Sequence, residues 1–575
     1  MKIVVVGGVA GGASAAARLR RLDENAEIIV LERGEYISFA NCGLPYYIGE
    51  VIKKRDNLVV QSPENMKERF NLDVRVLNEV KNIDTEKKQV EIYDIKNKKN
   101  YRESYDKLIL SPGAVPIKPH IKGFDAPNVF TLRDIPDTLA IKNFVDEHNP
   151  KSAVVVGAGF IGMELVENLH RRGIAITIVE LAEQVLAPLD QEMASLIHQH
   201  LKEKKVEFYL NDEVKEVEHQ EKFSLVKLVS GREIKTDMVL IGIGVRPEVI
   251  LAKKSGLEIG KRSGIKVDRF LKTSNPDIYA VGDAIEVVDY INGNPTLIPL
   301  AGPANKQGRI AANNICGIPE EYEGTQGTSI LKVFDMTVAA TGNNEKLLKR
   351  CNVPYEKSFT HSSSHAGYYP EALPLSIKLL FSPDSGKILG AQIVGYDGVD
   401  KRIDVISTAI RAGMTVYDLE KLELAYAPPY SSAKDPVNMA GYVASNILKA
   451  DHAIIHWNKL KKINKEKTIL VDVRHPYEFK RGTIEGAINI PVDDLRNRIN
   501  EIPKDKNVII FCKQGLRGYI AYKILKQKGF ENIKNLSGGY LTYFPAIQKQ
   551  SNIGIFDYEK IDKEDFIKPN EHSAS

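Results

Sequence analysis

Val154-Val155-Val156-Gly157-Ala158-Gly159-Phe160-Ile161-Gly162 sets an unbroken apolar run, a G-x-G-x-x-G turn and the opening of an amphipathic stretch in immediate succession. A run without alternation suits a parallel strand covered on both faces. The glycines suit a strand-to-helix turn against a pyrophosphate: Gly157 permits the tight bend, Gly159 lets backbone approach the phosphates, and Gly162 lets the helix close on the strand. A helix starting there offers unpaired N–H groups to an anion. The next run, Ala175-Ile176-Thr177-Ile178-Val179, ends on Glu180, where a carboxylate holds a ribose 2′-hydroxyl and repels a 2′-phosphate. This unit predicts a dinucleotide site favouring NADH, with NADPH as the alternative.

The pattern recurs at the N-terminus, where Lys2-Ile3-Val4-Val5-Val6 runs into Gly7 and Gly12, with Val9 at the middle glycine position. The following run, Ile28-Ile29-Val30-Leu31, again ends on an acid, Glu32. Gly7 and Gly8 interrupt the opening apolar run and no cleavage-type site follows, so it reads as a strand and not a signal peptide. A third element, Thr273 to Asp283, is similar to the strand-and-Asp motif with which flavoprotein reductases hold the ribityl chain of FAD, Asp283 being the acid. Two dinucleotides, FAD and a nicotinamide, are therefore expected.

At 575 residues the chain exceeds what one core supports. Val/Ile runs alternate with amphipathic stretches to about 325, antiparallel-type strands follow at 328–334, 375–381 and 388–395, and an α/β pattern resumes at Thr468. The expected fold class is α/β: two Rossmann-like dinucleotide-binding domains, an α+β dimerisation domain and a C-terminal α/β layer. Boundaries fall at 1–149 and 263–325 (FAD), 150–262 (nicotinamide), 326–449 (dimerisation), a lysine-rich linker at 450–463, the C-terminal layer at 464–550 and a charged tail at 551–575.

A net charge of +4 with interleaved signs gives no stripe for nucleic acid. No run of about 18 apolar residues offers a membrane span, and the expectation is a soluble, cytoplasmic protein. The four cysteines, Cys42, Cys316, Cys351 and Cys512, are too few and scattered for a disulfide framework or a paired-ligand metal site. Cys316 and Cys351 have no informative setting, which leaves Cys42 and Cys512.

Cys42 lies in Ser38-Phe39-Ala40-Asn41-Cys42-Gly43-Leu44-Pro45-Tyr46-Tyr47. Over residues 1–445 the chain resembles the pyridine nucleotide-disulfide oxidoreductase superfamily, but with one cysteine where its classical members have a Cys-x4-Cys pair. The segment resembles that of the coenzyme A disulfide reductases and of the single-cysteine NADH oxidases and peroxidases. In the first group Cys42 would alternate between thiolate and mixed disulfide with coenzyme A; in the second it would pass through a sulfenic acid. Peroxidase-type relatives carry a histidine in the first glycine loop, where this chain has Val9-Ala10-Gly11-Gly12. A third alternative is a redox-sensing, sulfur-trafficking protein.

The coenzyme A resemblance implies that Tyr368 and Tyr426 reach the cysteine of a second subunit in a homodimer, Tyr426 as proton donor. It implies that Ser14, Arg18, Arg21, Ser38, Asn41 and Lys434 hold coenzyme A. It also implies that Val9, Ala10, Arg33, Asn41 and Gly113 join the FAD site, and that Phe160, Ile161 and Gly244 join the nicotinamide site.

From about 455 to 548 the chain resembles rhodanese-family sulfurtransferases, through Asp472-Val473-Arg474, Gly482 to Pro491 and the loop Cys512-Lys513-Gln514-Gly515-Leu516-Arg517. Consecutive N–H groups of such a loop form an anion nest for a thiolate or persulfide. Arg517 is expected to close the loop and add charge. Fused to the reductase, Cys512 would carry sulfane sulfur at high local concentration. The expected substrates are coenzyme A persulfide or disulfide, or polysulfide.

Overall fold

The computed structural model describes residues 1–548, so the expected tail at 551–575 lies outside the described residues. The chain divides into two compact units: residues 1–181 with 212–327, and residues 182–211 with the chain from Thr328 onward.

In the first unit, Lys2–Val6 is the central strand of a parallel sheet ordered Ile278–Ala280, Lys107–Leu110, Lys2–Val6, Glu27–Glu32, Asp73–Val76. Val4 and Val5 are fully buried, which explains why this strand shows no polar alternation. Helix Ala10–Leu22 packs against helix Ala301–Ile315. Their backbones approach so closely that a Cβ on Gly308 would lie 2.3 Å from Gly11 O, and this clasp joins the two FAD segments separated in sequence.

The nicotinamide half repeats the plan. Ser152–Val156 pairs in parallel with Ala175–Glu180 and Met238–Ile241, and the last pairs with Val129–Thr131. The boundary expected at 149/150 is therefore too late. Val129–Thr131 and helix Ile135–His148 lead into this sheet, and a three-residue strand has too short a pattern to be separated from what precedes it. Residues 182–211, expected inside 150–262, group with the second unit.

In the second unit, five antiparallel strands lie in the order Ser329–Val333, Met336–Gly342, Ile388–Gly395, Pro374–Phe381, Glu356–Ser363. Helices Val399–Arg411 and Pro436–Leu448 cover the sheet. The C-terminal layer is a parallel sheet ordered Ile454–Ile455, Ile533–Leu536, Asn507–Phe511, Thr468–Asp472, Ala487–Asn489. The stretch 450–463, expected as a linker, supplies its edge strand, and Trp457 and Leu460 are buried in its core. The layer is docked on the antiparallel sheet. His361 meets Ser376 Oγ and Thr542 Oγ1 at 2.8 Å each, and the His456 ring stands edge-on to Phe359. Among the described residues no helix is long and apolar enough to cross a membrane.

Candidate active site

The FAD-site residues converge at the C-terminal ends of the first sheet, where α/β proteins bind ligands. Gly7 has φ +95, and a Cβ there would lie 2.1 Å from Ser111 O; one on Gly12 would lie 1.9 Å from Gly7 O. Only glycine fits either position. Val9 precedes helix Ala10–Leu22 without a side-chain cap, leaving the helix N–H groups for a phosphate. Glu32 accepts the Gly8 N–H at 2.9 Å and the Gly34 N–H at 2.8 Å. Its neighbour Arg33 is exposed. Gly113, at φ +73, faces open space. Burial pushes the Asp283 carboxyl pKa up, as for an acid that needs hydroxyl donors from a ligand. An open strand-end cradle rimmed by N–H groups and a desolvated acid fits FAD.

The nicotinamide half fits a dinucleotide for the same reasons. A Cβ on Gly162 would lie 2.1 Å from Gly157 O, so Gly162 is required by the fold, whereas one on Gly159 would meet nothing within 4 Å. Gly159 thus guards space and not packing. Helix Phe160–Arg171 opens with Phe160 and Ile161 directly beyond it. Glu180 accepts the Ala158 N–H at 2.6 Å, and Gly244, at φ +106, follows strand Met238–Ile241.

Cys42 is exposed in the 3-10 turn Asn41–Gly43, beside exposed Asn41. Ser38 approaches it in the left-handed region at φ 43, held by its N–H to Gly8 O and by the Val60 N–H to its own carbonyl. The following short helix, Leu44–Ile48, packs on Phe160–Arg171 and so brings Glu164 into the field of Cys42. Burial pushes the Cys42 thiol pKa up, and Glu164 and Asp283 push it further. Burial, with Glu167, raises Glu164 to about 7; burial, with Glu164, Glu167 and Cys42, raises Tyr46 to about 12. Burial and the neighbouring carboxylates therefore disfavour the Cys42 thiolate. Sequence reasoning missed Glu164, since a helix about 120 residues away has no local signature in the turn, and assigned no role to Tyr46 although it lies in the quoted segment.

Ser14, Arg18 and Arg21 share one helix face by their spacing. Ser14 Oγ donates to Asn305 Oδ1, and Arg18 Nε donates to Asn313 Oδ1 at 2.8 Å. Tyr368 and Tyr426 lie in the second unit, largely exposed, with their phenol oxygens 2.6 Å apart. That hydrogen bond, with slight burial, raises the Tyr368 pKa. Lys434 is exposed in the same unit.

Cys512 is 1% exposed. Strand Asn507–Phe511 delivers it to a loop whose Gly515, at φ +124, donates its N–H to Sγ at 3.0 Å, and helix Leu516–Gln527 follows. Arg517 does not act as free charge there. Its Nη1 and Nη2 donate to Glu478 Oε2 and Oε1 at 2.6 and 2.8 Å, so a carboxylate matches the cation expected to charge the loop. Glu478 also accepts the His475 N–H at 3.1 Å at the start of helix Pro476–Lys480. The spacing His475-x-x-Glu478 is a capping pattern, which gave no hint of a partner 39 residues away.

The sequence profile of the pyridine nucleotide-disulphide oxidoreductases matches residues 1–308. The chain belongs to that family. The dimerisation-domain profile of the same oxidoreductases matches 328–436, and a rhodanese-like domain profile matches 457–544. The coenzyme A disulfide reductase of Staphylococcus haemolyticus is 38% identical over 447 residues, 78% of this oxidoreductase and 100% of that protein. Among solved structures, the reduced Bacillus anthracis CoADR-RHD is 55% identical with TM-score 0.93, covering 95% of this chain and 98% of its own. A NAD-dependent persulfide reductase from A. fulgidus is 39% identical with TM-score 0.89, covering 95% and 100%.

Proposed function

We propose that this oxidoreductase is an NADH-dependent reductase of coenzyme A disulfide and coenzyme A persulfide, acting as a homodimer, with Cys42 as its redox sulfur and Cys512 as a carrier of sulfane sulfur. The observation that carries the reading is a solitary free thiol beside the FAD-type cradle, in a chain whose four cysteines are all unpaired. Relatives named for disulfide and persulfide reduction, two of them spanning both the reductase and the rhodanese-like layer, support it.

FAD, when bound, supplies the route for two electrons from NADH to sulfur. Cys42, as thiolate, attacks a sulfur of coenzyme A disulfide; the S–S bond breaks, a Cys42–coenzyme A disulfide forms, and coenzyme A thiolate departs with a proton. With coenzyme A persulfide the attack falls on the coenzyme-side sulfur and hydrosulfide leaves. Reduction by one NADH then frees Cys42 thiolate and coenzyme A thiol. Tyr426 is the proton donor. In a pair of hydrogen-bonded phenols one O–H is spent on the partner and the other is free to face the departing sulfur. Acidic surroundings delay ionisation of Cys42 until ligand is present, and Arg18, Arg21 and Lys434 supply cations for the phosphates of coenzyme A.

Intact-mass analysis of the purified holoenzyme tests this. A coenzyme A adduct on Cys42, removed by NADH, is expected, with two coenzyme A thiols released per NADH and disulfide under anaerobic turnover. Sulfenic acid on Cys42 and faster consumption of oxygen or peroxide than of disulfide would instead make the protein an oxidase or peroxidase.

A further inference from the structure

Arg402 lies on the apolar stripe of helix Val399–Arg411 with Val399, Ile406 and Ile410, and is 1% exposed. Its guanidinium turns back toward the helix start. Nη1 donates to Gly398 O at 3.1 Å, and a Cβ on Gly398 would lie 2.0 Å from Nη1, so the arginine's path requires glycine there. Nη2 donates to Ser364 O at 2.8 Å, to Ser431 Oγ at 3.2 Å and to Asp435 Oδ2 at 3.1 Å. Ser431 Oγ donates to the same Asp435 oxygen at 2.6 Å, and the Ala366 N–H donates to Ser431 O at 3.0 Å. Burial pushes the Asp435 pKa up, but Ser431, the Val437 N–H and Arg402 outweigh it and hold the carboxyl below its ordinary range.

Ser364 begins the loop that carries Tyr368; Ser431 lies between Tyr426 and Lys434 in the loop that precedes helix Pro436–Leu448. One buried guanidinium ties both loops, whose phenols stand 2.6 Å apart. Its Nε finds no partner among the described residues. A buried charge with an unpaired donor is costly where an apolar side chain would pack more cheaply, so the nitrogens that are used must account for its presence. We infer that Arg402 is a positioning residue that fixes the Tyr368–Tyr426 pair. This rests on the proposed role of the tyrosines.

The test compares R402K and S431A holoenzymes in the native and the Y368F/Y426F backgrounds, with NADH and coenzyme A disulfide. A lysine keeps the charge beside Asp435 but cannot span the separate acceptors. R402K is expected to lower kcat about 30-fold and S431A about 5-fold, since misplacement near 1 Å costs up to about 100-fold. Flavin reduction by NADH should stay within about two-fold, and amide exchange should rise together at 364–370 and 425–434. In the double-phenylalanine background neither substitution should add more than about two-fold. S431A carries the test if R402K does not fold. Losses that multiply across backgrounds, or a parallel fall in flavin reduction, would overturn the inference alone. Full turnover by Y368F/Y426F itself would overturn the role of the tyrosines, and this inference with it.

Discussion

Cys42 is exposed in a 3-10 turn within the field of Glu164 and Asp283, whereas Cys512 is 1% exposed and takes the Gly515 N–H at 3.0 Å. Both are free thiols in α/β layers, yet the protein prepares them in opposite ways. Around Cys512 a backbone N–H already meets the sulfur, while Arg517 is paired with Glu478; under the proposed function it is the backbone nest and not the guanidinium that would hold a persulfide. Around Cys42 the chain raises the thiol pKa and leaves ionisation to whatever binds. Under the proposed function, a carrier must keep its sulfur between partners, while a nucleophilic thiol must react only when its substrate and cofactor are in place. The difference in setting matches that division.

The largest expected effect tests the division itself. C42S should lower reduction of coenzyme A disulfide by at least about 1000-fold, as loss of a nucleophile does, and C512S should change it by less than about two-fold. C512S should instead abolish sulfane transfer from a persulfide donor to a thiol acceptor, read as labelled sulfur on the intact protein. A large loss of disulfide turnover in C512S would erase the distinction between the two sulfurs.

Acid should disturb the attachment of the Cys512 layer. His361 is half-buried between Ser376 and Thr542, and desolvation there lowers its pKa from 6.5 to about 4. The unfolded chain takes up a proton below about 6.5 and the folded chain only near 4, so the stabilising contribution is complete above 6.5 and is lost as pH falls through that window. The loss is about 3 kcal/mol. Denaturant unfolding between pH 7 and 4 should show this slope, and H361Q should flatten it. An unchanged slope in H361Q would mean that another group dominates.

The nest makes a sharper, smaller claim. Nothing lies within 4 Å of a Cβ on Gly515, but at φ +124 a side chain strains the backbone. G515A should move the N–H off Sγ and slow sulfane transfer about 100-fold, at the low end of the range for losing one preorganised donor. Disulfide reduction should not change.

The glycine loops were legible in sequence because the strand–turn–helix spacing is a contiguous motif: Gly12 and Gly162 answer a backbone contact within the turn itself, although Gly7 and Gly157 answer Ser111 and Gly242 beyond neighbouring strands. Cys512 and its loop were legible for the same reason. What escaped was non-local or masked by composition. Glu164 reaches the Cys42 turn only through helix packing, Glu478 meets Arg517 across 39 residues, and Arg402 meets acceptors 29 to 38 residues away that no local pattern announces. Trp457 and Leu460 were hidden among lysines, so an edge strand and its core contacts read as a linker.

The smallest expected effect probes Cys42's surroundings directly. Glu164 has a pKa of about 7, so near pH 6 it is mostly neutral and near pH 8 mostly charged. A carboxylate beside a thiol disfavours the thiolate. E164Q should therefore speed alkylation of Cys42 by iodoacetamide about three-fold at pH 8, because the thiolate is the reacting species, and have little effect at pH 6. Cys512, which is buried, should stay slow to alkylate in both proteins. If E164Q accelerated alkylation equally at both pH values, the cause would be access to the turn and not charge. The contrast drawn between an acid-surrounded sulfur and a nest-held one would then lose its electrostatic half.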